Sequence, residues 1–561
     1  MDNLDAANTT CSASALTIQV GINLTSPLIQ NPEVQPRTEA HQLLRNIDPK
    51  KKKEKEMGSE HEHIVMLPFL AQGHLIPFLE LARKIHQRIT GFTITIVSTP
   101  LNIHCLRSTI SSHSNIYLAE LPFCSTDHCL QPDTENTEKL SSNNDLLTFH
   151  HASVTLEAPF RSLVHDIMEQ DGQPPLCIIS DVFFGWAVNV AKSVGSKSVT
   201  FTTCGAYGTA AYMSFWLNLP HRHTDCEEFT LLGFPDSHRF HRSHLHQSAK
   251  AADGADTWST FMQSQISLSL GSQVWLCNTV EEIEPLGLEV LRKYLKLPVC
   301  AVGPVLSSAA LKKGSYSSPF GSNTVCQRTG KKPGIFPQNC FEWLNIHGPD
   351  SVLYISFGSQ NTISASQMRE LALGLEVCGK PFIWVLRPPI GFDMKGESRG
   401  DWLPEGFEKR MTESQQGLLV HNWAPQLEIL AHESTGAFLS HCGWNSVLES
   451  LSQGVPIIGW PMGAEQTYNT KMLVEEMGVC EVLARGVQCD VAGKEVTRVI
   501  ELVMDKKKGK GLEMKRKADD IGERIRAAAA KDEDGKDGSS IKALDQFVRT
   551  ILTKATLDLP A

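Results

Sequence analysis

Short apolar runs recur along this chain, and most are followed by a stretch with helical periodicity. IVMLPF (64–69) has the composition of a buried strand. After it Leu75, Phe78, Leu79, Ala82 and Ile85 fall on one face of a helix, with Pro77 in its first turn, where a missing N–H is tolerated. FTITIVST (92–99) reads as a second strand and completes a βαβ unit. Strands joined in this way pair in parallel and are buried on both faces. The alternation therefore restricts the chain to an α/β fold.

Similar runs return at LCIIS (176–180), SVTF (198–201) and VWLCNT (274–279), then again at SVLYISF (351–357), FIWVL (382–386), LLVHN (418–422), GAFLS (436–440) and VPIIGW (455–460). Ser364 and Gln367 are spaced as a capping box, with Gly379 as that helix's stop. Between the two series, residues 306–337 break the rhythm. From Gly303 to Pro337 there are five basic residues and no acidic one. The expected organisation is thus two doubly wound halves, 61–305 and 338–535, joined by a linker or flexible loop at 306–337. Residues 536–561 close the chain with an amphipathic helix from about Ser539 through Leu544, Phe547, Val548 and Leu552, expected to pack back on the first half. Residues 1–60 are polar and irregular and end in a Lys/Glu run, the signature of a disordered extension. Met57 stands just upstream of the first strand, so residues 1–56 are expected to be dispensable.

Composition narrows the function. Lys plus Arg is 52 and Asp plus Glu is 62, a net charge of −10 over 561 residues, which argues against a nucleic-acid or acidic-membrane surface. Fifteen scattered Cys fit reduced thiols. No apolar run reaches the length of a transmembrane helix and the N-terminus lacks a signal pattern, so a cytoplasmic location is expected. No Gly-x-Gly-x-x-Gly follows the first strand, and there is no phosphate loop, no His-Glu-x-x-His and no Cys-x-x-Cys. His221, His223, His238, His241, His244 and His246 are dense but irregularly spaced in an Arg- and Ser-rich segment, which reads as a solvated loop. No metal is expected.

The specific signal runs from Trp423 to Gln466: WAPQLEILAHESTGAFLSHCGWNSVLESLSQGVPIIGWPMGAEQ. His441-Cys442-Gly443-Trp444-Asn445-Ser446 follows a strand and opens a helix. Small residues there bring backbone N–H groups to a ligand, and the helix N-terminus favours negative charge, as a diphosphate carries. Trp423 offers a flat face for a base. Ser446 and Glu449 are also spaced as a capping box, which would leave Glu449 merely closing its helix. Gly454 and Pro456 read as the helix stop, Trp460 as a core aromatic and Cys442 as a packing residue. A second constellation lies in the first half. Gln72-Gly73-His74 and Asp181 both follow strands, where open α/β sheets build their sites.

The stretch closely resembles the signature box of the plant family 1 UDP-dependent glycosyltransferases, and the resemblance extends from about residue 62 to the C-terminus. It implies the GT-B arrangement, two facing Rossmann-like domains with a cleft between them. It implies a UDP-sugar donor held by Ser359, Trp423, Ala424, Gln426, His441, Gly443, Trp444, Asn445, Ser446, Glu449, Glu465 and Gln466. Within that set Trp423 takes the uracil, Glu449 the ribose, and Glu465 with Gln466 the sugar. His74 takes the place of the general base and Asp181 that of its carboxylate partner. The carboxylate and the helix start pull His74 in opposite directions, which suits a base that is neutral at rest near neutral pH. Phe69, Gly73, Phe183, Phe184 and Tyr207 are candidate acceptor contacts. The implied reaction is inverting transfer of a sugar, glucose being favoured by Gln466, to a hydroxyl of a small lipophilic acceptor such as a flavonoid, other phenolic or terpenoid. The product is a β-glycoside. The UDP-sugar is a co-substrate, no cofactor is implied, and a monomer is expected. The competing reading is a non-catalytic UDP-sugar-binding regulatory protein, against which an intact His74 and Asp181 count.

Overall fold

The computed structural model describes residues 62–552 except 90, 111–113, 141, 308–309, 312–333, 361 and 390–401. The N-terminal extension with Met57, most of the linker at 306–337 and the last nine residues lie outside the described part.

The first half is built on β1 (Glu62–Leu67), β2 (Phe92–Ser98), β3 (Ile116–Glu120), β4 (Cys177–Asp181) and β5 (Lys197–Thr202). A small antiparallel hairpin of β6 (Glu228–Phe229) and β7 (Phe240–His241) comes next, then β8 (Val274–Cys277) and β9 (Val299–Ala301). The main sheet has the order β3-β2-β1-β4-β5-β8-β9, with every pair parallel. The second half carries β10 (Val352–Ser356), β11 (Phe382–Leu386), β12 (Gly417–His421), β13 (Thr435–Ser440), β14 (Ile457–Gly459) and β15 (Cys480–Val482). Its order is β12-β11-β10-β13-β14-β15, again all parallel. These are two Rossmann-like sheets with α/β crossovers. Each reverses direction once, between β1 and β4 and between β10 and β13.

The central strands are buried from end to end because helices cover both faces, which is why their sequences are continuous rather than alternating. Strands β3, β9 and β15 have no counterpart in the sequence reading. They lie at sheet edges and are only three to five residues long, too short to show a strand pattern. The capping box at Ser364 and Gln367 forms on the helix Ala365–Cys378, and Gly379 ends it at φ 65°.

The C-terminal helix Ser539–Leu552 buries Leu544, Phe547, Val548 and Ile551 in the same apolar cluster as Ile64, Ile85 and Val302 of the first half. Lys197 Nζ donates to its last carbonyls, Thr550 O and Ile551 O, each at 2.9 Å. A second cluster spans both halves, joining Tyr207, Trp216 and Phe240 to Trp444, Val447 and Tyr468. Among the described residues no helix is long and apolar enough to cross a membrane.

Candidate active site

The two reversal points carry the candidate residues. Asp181 ends β4, and His74 stands in the first turn of the helix Gln72–Arg88 that follows β1, the neighbouring strand. The carboxylate is fully buried. Its Oδ1 accepts from the backbone N–H of Phe183 at 3.1 Å, which fixes its orientation, and its Oδ2 lies 2.6 Å from His74 Nδ1. This bond puts the imidazole proton on Nδ1 and leaves Nε2 as the basic lone pair. Thr203 Oγ1 stands 3.4 Å from the same Nδ1. Burial lowers the proton affinity of His74, but the charge and hydrogen bond of Asp181, with Glu465 adding to them, leave its pKa raised above 6.5. The expected balance thus tips toward the carboxylate, and His74 holds its proton more tightly than a free imidazole.

On the second sheet, β13 ends at Ser440 and the chain turns through Cys442, at φ 62°, into the helix Trp444–Ser452. Gly443 is the N-cap and no side chain caps the helix, so its first N–H groups are left for a ligand. The His441 ring is wedged between two glycines. A Cβ at Gly358 would stand 2.7 Å from its Cε1, and one at Gly443 would stand 2.4 Å from its Nε2. Burial holds His441 neutral, with a pKa of about 4, and its Nδ1 has no hydrogen-bond partner.

Ser446 and Glu449 do not form the capping box their spacing allows. Gln426 binds both, its Nε2 lying 3.1 Å from Ser446 Oγ and 2.7 Å from Glu449 Oε2, while its Oε1 accepts from Tyr354 OH at 3.1 Å. Glu449 is therefore held at the site. Trp423 is half-buried after the turn at Asn422, whose φ is 77°, and the adjoining Ala424 is buried. Ser359 lies in the turn after β10. Arg387 donates to the carbonyls of Gly358 and Ser359 and reaches Glu138 O in the first half at 3.3 Å.

Glu465 and Gln466 begin the helix Gln466–Glu475. Gln466 Oε1 accepts from the backbone N–H groups of Met462 and Gly463 at 2.9 and 3.0 Å, so one end of its amide is spent on the loop. Glu465 Oε1 accepts from Asn469 Nδ2 at 3.2 Å. Asn445, expected on the diphosphate, has a different partner here. Its Nδ2 donates to Gly73 O at 2.8 Å, directly before His74, and its Oδ1 faces Asn278 Nδ2 at 3.4 Å. Trp444 is buried, and its Nε1 donates to Asn278 O at 2.6 Å.

The acceptor-side expectations divide. Phe69 and Phe183 flank His74, with ring centroids 5.6 and 5.7 Å away. Phe184 and Tyr207 are, like Phe69, buried in the core: Phe184 packs on Phe69 and Trp186, and Tyr207 packs on Phe234. Both face inward because the segments carrying them must fill the interior beside their sheet. The histidine-rich segment also departs from a uniformly solvated loop. His221 is buried and stacked on Phe215, and the Nδ1 atoms of His241 and His246 accept from the N–H groups of Ser243 and Ala249. Among the described residues no group of His, Cys, Asp and Glu is placed to hold a metal ion. Asn278 and Arg387 escaped the sequence reading. Asn278 carried a usable signal as a polar residue just past a parallel strand.

Residues 320–515 match the model of the family described as UDP-glucoronosyl and UDP-glucosyl transferase. Crocetin glucosyltransferase 3 of Crocus sativus is 46% identical over 80% of this chain and 92% of its own length. UDP-glycosyltransferase 92A1 of Arabidopsis thaliana is 41% identical over 88% and 97%. Among solved structures, UGT73P12 of Glycyrrhiza uralensis, complexed with glycyrrhetinic acid 3-O-monoglucuronide, has a TM-score of 0.71 at 26% identity and covers 87% of this chain and 95% of its own. UGT2 of Phytolacca americana, complexed with UDP-2fluoro-glucose and pterostilbene, gives 0.67 at 26%, covering 87% and 99%.

Proposed function

The chain belongs to the plant family 1 UDP-glycosyltransferases and has their GT-B fold, and from that premise we propose an inverting transfer of glucose from UDP-glucose to a hydroxyl of a small lipophilic acceptor. One observation carries the reading. A buried carboxylate fixes the tautomer of His74 at one reversal point, while an uncapped helix N-terminus faces the site at the other, with Asn445 joining the two.

In this reading His74 Nε2 removes the proton from the acceptor hydroxyl as its oxygen attacks the anomeric carbon. The bond from that carbon to the UDP oxygen breaks on the opposite face, so an α-linked donor gives a β-glycoside. The proton stays on His74 as an imidazolium that Asp181 stabilises. Charge developing on the departing UDP is met by the N–H groups at the start of the Trp444–Ser452 helix and by neutral His441. Trp423 stacks on the uracil, Glu449, oriented by Gln426, takes the ribose hydroxyls, and Glu465 with the free amide end of Gln466 takes the sugar. Gln466 supports glucose over galactose.

The test is direct. Purified protein is incubated with UDP-glucose and a panel of flavonoids, simple phenols and terpenoid alcohols, and the product's anomeric configuration is read by NMR. A β-glucoside is expected. An α-product would overturn the inverting mechanism, and a clear preference for another UDP-sugar would overturn the donor.

A further inference from the structure

A second histidine stands beside His74 with no part in the chemistry above. His150 lies on the helix Asn143–Ser153 and is 6% exposed. Its Nδ1 is 2.7 Å from Leu146 O, one turn earlier. A carbonyl can only accept, so Nδ1 carries the proton and Nε2 is a bare acceptor. Among the described residues Nε2 has no hydrogen-bond partner. The ring is enclosed by aromatics, with centroids of Phe69, Trp258, Phe261 and Phe183 at 4.8, 5.1, 5.2 and 5.9 Å. Phe69 and Phe183 are the same two rings that flank His74. Burial, offset only in part by the Leu146 carbonyl, pushes its pKa down to about 4, so the ring stays neutral.

An apolar side chain would pack among the four aromatic rings equally well and would offer no hydrogen-bond acceptor. The Leu146 bond accounts for Nδ1 alone. What remains is a lone pair one aromatic layer away from the base.

We propose that His150 is a specificity-determining residue whose Nε2 accepts a hydrogen bond from a second hydroxyl of an aromatic acceptor, the first hydroxyl being the one that reacts at His74. The proposal rests on the assignment of His74 as the base. It makes the preferred acceptor class a planar phenol with hydroxyls at both ends. A methyl ether at the far end has no proton to give. A carboxylate there has none either, and would carry a charge into aromatic surroundings.

The test uses two acceptors that share the reacting phenol, one with a second hydroxyl on its distal ring and one with a methoxy group there. Affinity is measured by calorimetry with UDP present, and kcat/KM with UDP-glucose. The wild-type protein is expected to favour the diol by about tenfold, the scale of one hydrogen bond. In His150→Phe that preference collapses to within about twofold. In His150→Gln, whose Oε1 can stand near the position of Nε2, much of it returns; a purely structural role would not produce that pattern. Equal losses for both acceptors in His150→Phe, or no preference in the wild type, would overturn the proposal. Discrimination in binding without any turnover would instead overturn the assignment of His74 and leave that of His150 standing.

Discussion

At the reversal point of the first sheet the working polar groups are a hydrogen-bonded imidazole and carboxylate, His74 and Asp181, flanked by Phe69 and Phe183. At the reversal point of the second they are an uncapped helix start, a neutral imidazole and a Gln426–Ser446–Glu449 network. The topology is alike and the materials differ, because the two poles handle charge differently. In the proposed mechanism the first gains a proton during the reaction, and one buried counter-ion stabilises that change. In the same mechanism the second receives a ligand already charged, for which fixed dipoles suffice and a histidine that titrated near neutrality would be a liability. Charge at the first pole and geometry at the second are therefore the sensitive variables.

The sharpest way to break that contrast is His74→Ala. Turnover is expected to fall on the order of 10²- to 10⁴-fold, with UDP-glucose affinity unchanged within about threefold, since its partners lie on the other sheet. A parallel loss of donor affinity would show that the poles are not separable. Glu449→Ala should do the reverse, weakening UDP binding by about 10- to 100-fold, the scale of a hydrogen bond to a charged group. A fall in kcat at saturating donor with no change in affinity would contradict the ribose assignment.

Asp181→Asn probes charge without much change of shape. The pKa of His74 is raised above 6.5, and only the unprotonated ring accepts the acceptor's proton. Wild-type kcat/KM is thus expected to fall as pH drops through a value above 6.5. Asn keeps a hydrogen-bond acceptor but removes the charge, so burial weighs more and the pKa falls. The acid limb should move to lower pH, while the plateau drops by about tenfold or more because the imidazolium has lost its counter-ion. An unmoved limb in a pH–rate profile would mean that His74 is not the titrating group.

The two poles also differed in how far the sequence disclosed them. The second is written almost contiguously between Trp423 and Gln466, because a strand, a tight turn and a helix start supply most of it. What that stretch could not show was the partner choice. Ser446 and Glu449 fit a capping box by spacing, yet Gln426, from a different helix, claims both side chains. The first pole joins residues more than a hundred positions apart, and only the placement of His74 and Asp181 at strand ends disclosed it. Its walls were less legible. Phe183 and Phe184 are adjacent and chemically identical, but one flanks His74 and the other fills the core, a difference set by backbone direction. His150 left no trace in the sequence, since its role depends on which rings surround it.

The smallest expected effect concerns the contact that joins the poles. Asn445 belongs to the box helix, yet its Nδ2 donates to Gly73 O, the carbonyl preceding His74. One of its two N–H groups is engaged there, and the other remains for a phosphate oxygen. If the bond sets the base against the donor, Asn445→Ala should lower kcat by about three- to tenfold, one neutral hydrogen bond's worth, and raise the UDP-glucose Kd by a similar factor through the lost second N–H. Gly73 O sits at a helix start near solvent, where water can replace the donor, so the melting temperature should change little. Pairing Asn445→Ala with His74→Ala then decides the matter. Should the bond act through the base, its removal costs nothing further in kcat once His74 is gone, and the two effects are not additive. Full additivity would confine Asn445 to the donor and leave the alignment of the two poles to the other links between the halves, such as Trp444 with Asn278 and Arg387 with Glu138.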